Sequence, residues 1–150
     1  MDSRSLDLFV KILLETDEIE ERLHDFRIDA ELWKSSRPMR DLILMPLIQI
    51  GELTTHFKSN EHLMLFPEIP WREIKGFRNI VVHGYGQIDP DIAWNTATAG
   101  VVELRTILLG NADISQAYEL ERSHREVACN DVEALDDICA FINGLPDADR

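Results

Sequence analysis

Apolar residues recur three and four positions apart in four separate stretches of this chain, and strand signals are weak throughout. That spacing is the period of an amphipathic helix. The first helix starts near Ser5 and sets Leu6, Val10, Leu13, Ile19, Leu23 and Phe26 on one stripe, with Asp17, Glu18, Glu20 and Glu21 on the solvated side. Ser35 or Ser36 caps a second helix, with Pro38 in its first turn and Leu42, Met45, Ile48, Glu52 and Phe57 along it. Pro46 lies inside that run and is expected to kink or split it. Residues 66–71 hold two prolines and read as a loop, after which Trp71, Ile74, Phe77 and Val81 mark a shorter third helix stopped by Gly84 and Gly86. Asp89 and Pro90 open a fourth, whose core stripe is Trp94, Ala97, Val101, Leu104 and Leu108.

Four such helices with short connections predict an all-α fold, an antiparallel four-helix bundle over residues 1–110. From Asn111 the chain turns acidic and less apolar, with shorter helical stretches near 113–122 and 131–143. Residues 111–150 are therefore expected to form a helical C-terminal extension packed on the bundle. A length of 150 residues, 45% of them hydrophobic, suits one core and argues against two independent domains. The longest apolar run, residues 42–50, is far short of the roughly 20 residues that span a bilayer, so no membrane partner is expected. No signal peptide is visible at the start. Cys129 and Cys139 fit neither a disulfide framework nor a zinc site, and read as reduced thiols of a cytoplasmic protein.

The net charge of −13 argues against a general polyanion binder, but the acidity is uneven. Residues 1–36 carry 10 acids and 5 bases, and residues 111–150 carry 10 and 3. Residues 37–83 carry 5 and 6. A local anion site is thus open in the middle of the chain, and residues 71–85 concentrate the chemistry there. Asn79 and His83, four apart, face the same way on a helix, and Arg78 sits about 100° round with a side chain long enough to reach them. An imidazole moves protons near neutral pH, and a guanidinium holds two phosphoryl oxygens. These groups suit attack on a phosphodiester, and RNA brings its own nucleophile in the 2′-hydroxyl once a base takes its proton. The bland alternative is that an Arg and a His near a helix end only compensate its dipole.

The stretch from Met39 to Leu109 resembles the HepT-like toxins of the HEPN superfamily, small all-helical ribonucleases encoded beside a minimal nucleotidyltransferase antitoxin of the MntA type. The resemblance rests on Ile50-Gly51-Glu52, on Ile69-Pro70-Trp71-Arg72-Glu73-Ile74, on Arg78-Asn79-Ile80-Val81-Val82-His83-Gly84-Tyr85, and on Trp94. The third element fits the family pattern of Arg, four residues, His, one residue, Tyr. The resemblance implies a metal-independent RNA endonuclease without a cofactor. Arg78 and His83 would be the catalytic pair and Asn79 a polar helper, at a cleft shared by two copies of a homodimer. Tyr85 would be the residue to which the nucleotidyltransferase antitoxin attaches AMP. Arg72 and Lys75, with Arg37 and Arg40 as further candidates, would bind RNA, giving a narrow basic cleft in an acidic body. The rival reading keeps the fold as a non-catalytic module that binds a nucleotide or docks the transferase.

Two Glu-x-x-His pairs, Glu21 with His24 and Glu121 with His124, sit in charge-rich stretches and are expected to face water instead of binding metal. Trp71 and Trp94 read as core aromatics. Glu52, in a mostly apolar stretch, needs a partner, which Arg78 or an amide near the active segment can supply.

Overall fold

Helix α1, Ser3–Asp25, starts where the Asp2 carboxylate accepts a 2.7 Å hydrogen bond from the Ser5 N–H. Its apolar stripe buries Phe9, Ile12, Leu13 and Ile19 completely. The computed structural model describes residues 1–84 and 88–130; Tyr85 and the stretch 131–143 lie outside them. A short α2, Ala30–Ser35, follows, capped by Asp29. Then come α3 (Arg37–Thr55), a 3-10 turn at Leu63–Leu65, α4 (Trp71–His83), α5 (Pro90–Asn95), a π-helical turn at Thr96–Gly100, α6 (Val101–Leu109) and α7 (Ala112–Asn130). α1 packs on α3 and α6, and α3 also packs on α4. The run from α5 through α6 is the fourth helix of an antiparallel four-helix bundle, and the fold is all-α. The described residues contain no strand, and no helix among them is long and apolar enough to cross a membrane.

Pro46 does not split α3, which is assigned as helix without a break from Arg37 to Thr55. The physical reason is visible at the carbonyl that Pro46 strands. Proline has no N–H to give the Leu42 oxygen four residues back. Arg22 on α1 donates to that oxygen at 2.7 Å instead. The tertiary contact replaces the lost helical bond, and Pro46 itself is fully buried.

Two tryptophans fix the connections. Trp33 of α2 is fully buried, donates its indole N–H to the Pro90 carbonyl at 2.9 Å, and lies 5.6 Å from the Trp94 ring. Trp71, the first residue of α4, packs near Phe9, and its indole N–H lies 2.8 Å from the Leu63 carbonyl and 3.1 Å from that of Phe66. The double-proline loop is thereby tied to its own helix, which sets where α4 begins.

The chain divides into two units, Met1–Tyr118 and Glu119–Arg150. The bundle belongs to the first, where Asp17, Arg105 and Tyr118 form one polar network. Arg105 pairs with Asp17 and bonds Thr16 Oγ1 at 3.0 Å and the Tyr118 hydroxyl at 2.8 Å, and that hydroxyl donates to Asp17. In the second unit the later turns of α7 carry i,i+4 pairs, Glu121 with Arg125 and Arg122 with Glu126. Where a stretch ending near Arg122 was expected, α7 runs on to Asn130.

Candidate active site

The site is built where α3 and α4 approach most closely. A Cβ added to Gly51 would lie 2.4 Å from the Arg78 Cβ and 3.2 Å from the Ile74 carbonyl oxygen. Only a glycine lets the stem of Arg78 cross α3 there. One residue on, Glu52 takes the other end of the same side chain, its Oε2 lying 2.6 Å from Arg78 Nη2. The neighbouring residues Gly51 and Glu52 thus perform two halves of one task, making room for the stem and holding the head. The partner that Glu52 requires is Arg78.

Asn79 completes the arrangement from the arginine's own helix, its Oδ1 accepting from Arg78 Nη1 at 2.9 Å. The Arg78 Nε–H is buried and meets no acceptor among the described residues. The second carboxylate oxygen of Glu52 lies 3.5 Å from His56 Nε2. His56 is half exposed. Its position four residues after Glu52 is the signal that places it on the same face of α3.

His83 is the last residue of α4 and is exposed, as are Asn79 and Arg72. Positions 72, 79 and 83 are seven and eleven residues apart, so they fall within about 20° of one line along the helix, over about 16 Å. Lys75 sits beside that line and is half-buried. The structure therefore joins Arg78 directly to Asn79 and Glu52, and sets His83 one turn beyond Asn79 on an open face. Tyr85 follows the end of α4 by two residues, outside the described residues.

Other expected cations do other work. Arg40 donates to the carbonyls of Trp33 and Lys34 at 2.9 and 2.8 Å, closing the end of α2. It lies twelve residues before Glu52, about 18 Å along α3. Arg37 pairs with Asp41. No group of three or more His, Cys, Asp or Glu among the described residues is placed to hold a metal ion.

An apolar groove of about 480 Å³ lies between α3, α4 and the α5–α6 run. Phe77, Ile80, Ile92 and Ile107 line it, and Ile80 and Ile92 are 50% and 63% exposed. The π-helical turn forms part of its far wall through Thr96 and Gly100.

A guanidinium fixed on two sides, with an amide beside it and an imidazole one turn further along the helix, suits a phosphodiester. The family model described as "Ribonuclease HepT-like" matches residues 12–109. The chain belongs to this family of ribonucleases. A protein of Methanocaldococcus jannaschii named "Putative RNase MJ1380" is 28% identical over 106 residues, covering 70% of this chain and 94% of that protein. A Thermococcus cleftensis protein named "Probable ribonuclease HepT" is 32% identical over 63 residues, or 42% of this chain and 56% of its own length. No solved structure matches.

Proposed function

We propose that this protein is the toxin of a toxin–antitoxin pair, an RNA endonuclease that works without a metal through Arg78 and His83. The observation that carries the reading is the Arg78 guanidinium, held by Glu52 and Asn79 on the helix whose open face bears His83. In this mechanism His83 takes the proton of an RNA 2′-hydroxyl, whose oxygen attacks the adjacent phosphorus. The bond from phosphorus to the 5′-oxygen breaks, and that oxygen leaves with a proton from an acid. Arg78 faces the phosphoryl oxygens as charge builds on them, and Asn79 keeps the guanidinium in place. Arg72 and Lys75 hold the flanking phosphates along the same helix.

One helix face is shallow, and one imidazole cannot at once take the first proton and give the second. A second copy resolves both points. The apolar groove that Phe77 and Ile80 of α4 line, with Ile80 and Ile92 exposed in it, supports a homodimer in which two α4 helices meet over one strand of RNA. His83 of the second copy is then the acid. In the same reading a nucleotidyltransferase antitoxin silences the enzyme by attaching AMP to Tyr85, because each added phosphate competes for Arg78 and repels RNA.

The test is cleavage of RNA in chelator by the purified protein and by His83→Ala. We expect the wild type to cut and the variant to lose about 100-fold or more. Equal cleavage by both removes His83 from the mechanism. If neither cuts, and intact mass shows the chain free of AMP, the non-catalytic module that binds a nucleotide or docks the transferase is the better reading.

A further inference from the structure

We infer that Glu52 is a positioning residue for the ribonuclease reaction: its carboxylate is the seat that presents the Arg78 guanidinium to the scissile phosphate. The inference rests on the proposed role of Arg78 and deepens it.

Counting donors carries the argument. A guanidinium has five N–H groups in one plane. In this protein one Nη2–H is directed to Glu52, one Nη1–H to Asn79, and the Nε–H is buried without an acceptor. Among the described residues this leaves one N–H on each terminal nitrogen for an incoming phosphate. Anchoring on Glu52 and Asn79 thus decides which two hydrogens face the substrate. The neighbouring main chain offers Arg78 little alternative. The carbonyls of Gly51 and Glu52 accept from the hydroxyls of Thr54 and Thr55, and that of Leu53 accepts from the His56 N–H. The Glu52 carboxylate is the strong acceptor in reach. Its other oxygen lies 3.5 Å from His56 Nε2. Gly51 makes the arrangement possible by letting Arg78 cross α3 at van der Waals contact. A side chain fixed in advance costs no reorganisation when charge develops, which is how positioning appears in kcat and not in KM.

The test uses the full-length protein and RNA cleavage. Glu52→Gln keeps the shape and one acceptor but removes the charge. We expect kcat to fall about 10- to 100-fold, with KM within about threefold and helicity unchanged by circular dichroism. Glu52→Asp keeps the charge but draws it back, and is expected to fall between the two. The second arm removes the arginine. Arg78→Ala should lose cleavage, and free guanidinium at millimolar concentration, far below the molar range that unfolds proteins, should restore part of it. The same addition should restore nothing in the Arg78→Ala, Glu52→Gln double variant, because the seat is gone. If Glu52→Gln and Glu52→Asp both cleave at the wild-type kcat while Arg78→Ala does not, the positioning role is overturned and the proposed function stands. Equal rescue with and without Glu52 overturns it as well. Wild-type cleavage by Arg78→Ala overturns the proposed function itself.

Discussion

Gly51 on α3 and Gly76 on α4 are both helical glycines, the first packed against the stem of Arg78 and the second two residues before it, and a methyl group should affect them oppositely. At Gly51 it would collide with the Arg78 Cβ and the Ile74 carbonyl oxygen, neither of which is the free end of a flexible side chain. The helices must part, at about 1–3 kcal/mol, which outweighs the helix-propensity gain of alanine. At Gly76 an added Cβ meets nothing within 4 Å. Gly51→Ala should therefore lower the melting temperature and impair cleavage, while Gly76→Ala should gain about 1 kcal/mol in stability. Thermal denaturation of the two variants checks the contrast. At this scale the sequence pointed to Arg78, Asn79, His83 and the unmatched charge of Glu52. It could not show that Gly51 is the contact point, because a glycine in an apolar helical run carries no mark of what lies across from it.

Helix α3 shows how an element survives a residue that should break it. Pro46 leaves the Leu42 carbonyl without its helical donor, and Arg22 supplies one from α1. Replacing Arg22 by alanine leaves a partly buried carbonyl unpaired, for an expected loss of about 1–3 kcal/mol. Pro46→Ala restores an N–H to the helix, so in its presence Arg22→Ala should cost distinctly less. A double-mutant cycle by urea denaturation reads the coupling directly, and strict additivity would mean that Arg22 does not serve that carbonyl. The starts of α3 and α5 were legible because Pro38 and Pro90 act on their immediate neighbours, although Ser36 stands at the start of α3 without a side-chain capping bond. The six-residue α2 and the π-helical turn at Thr96–Gly100 were not legible. α2 is anchored through Trp33 to Pro90, 57 residues away. The π turn adds a residue to one turn of a stripe that otherwise keeps its period, a shift too small to read from spacing.

Across the bundle as a whole, the network of Asp17, Arg105 and Tyr118 joins α1, α6 and the start of α7. The Tyr118 side chain is almost wholly buried. Burial, the largest influence, and the bond to Asp17 push its phenol above the usual tyrosine range, against the opposing pull of Arg105. The folded state therefore holds the proton more tightly than the unfolded chain, whose tyrosine titrates near 10. The stability this provides is complete below about pH 10 and is lost as pH rises through the higher folded value. Denaturation between pH 8 and 12 should show that decline, and Tyr118→Phe should flatten it while costing about 1 kcal/mol at neutral pH. The sequence by itself determined the helical period, the Asp89 cap, the division of charge and the family motif, because each depends on residues within a few turns of one another. The tertiary structure decided which groups meet: Arg78 with Glu52, Arg22 with Leu42, Tyr118 with Asp17 across 101 positions. Such pairings follow from how helix faces pack, and close packing is a property of two surfaces together that neither strand of sequence contains alone.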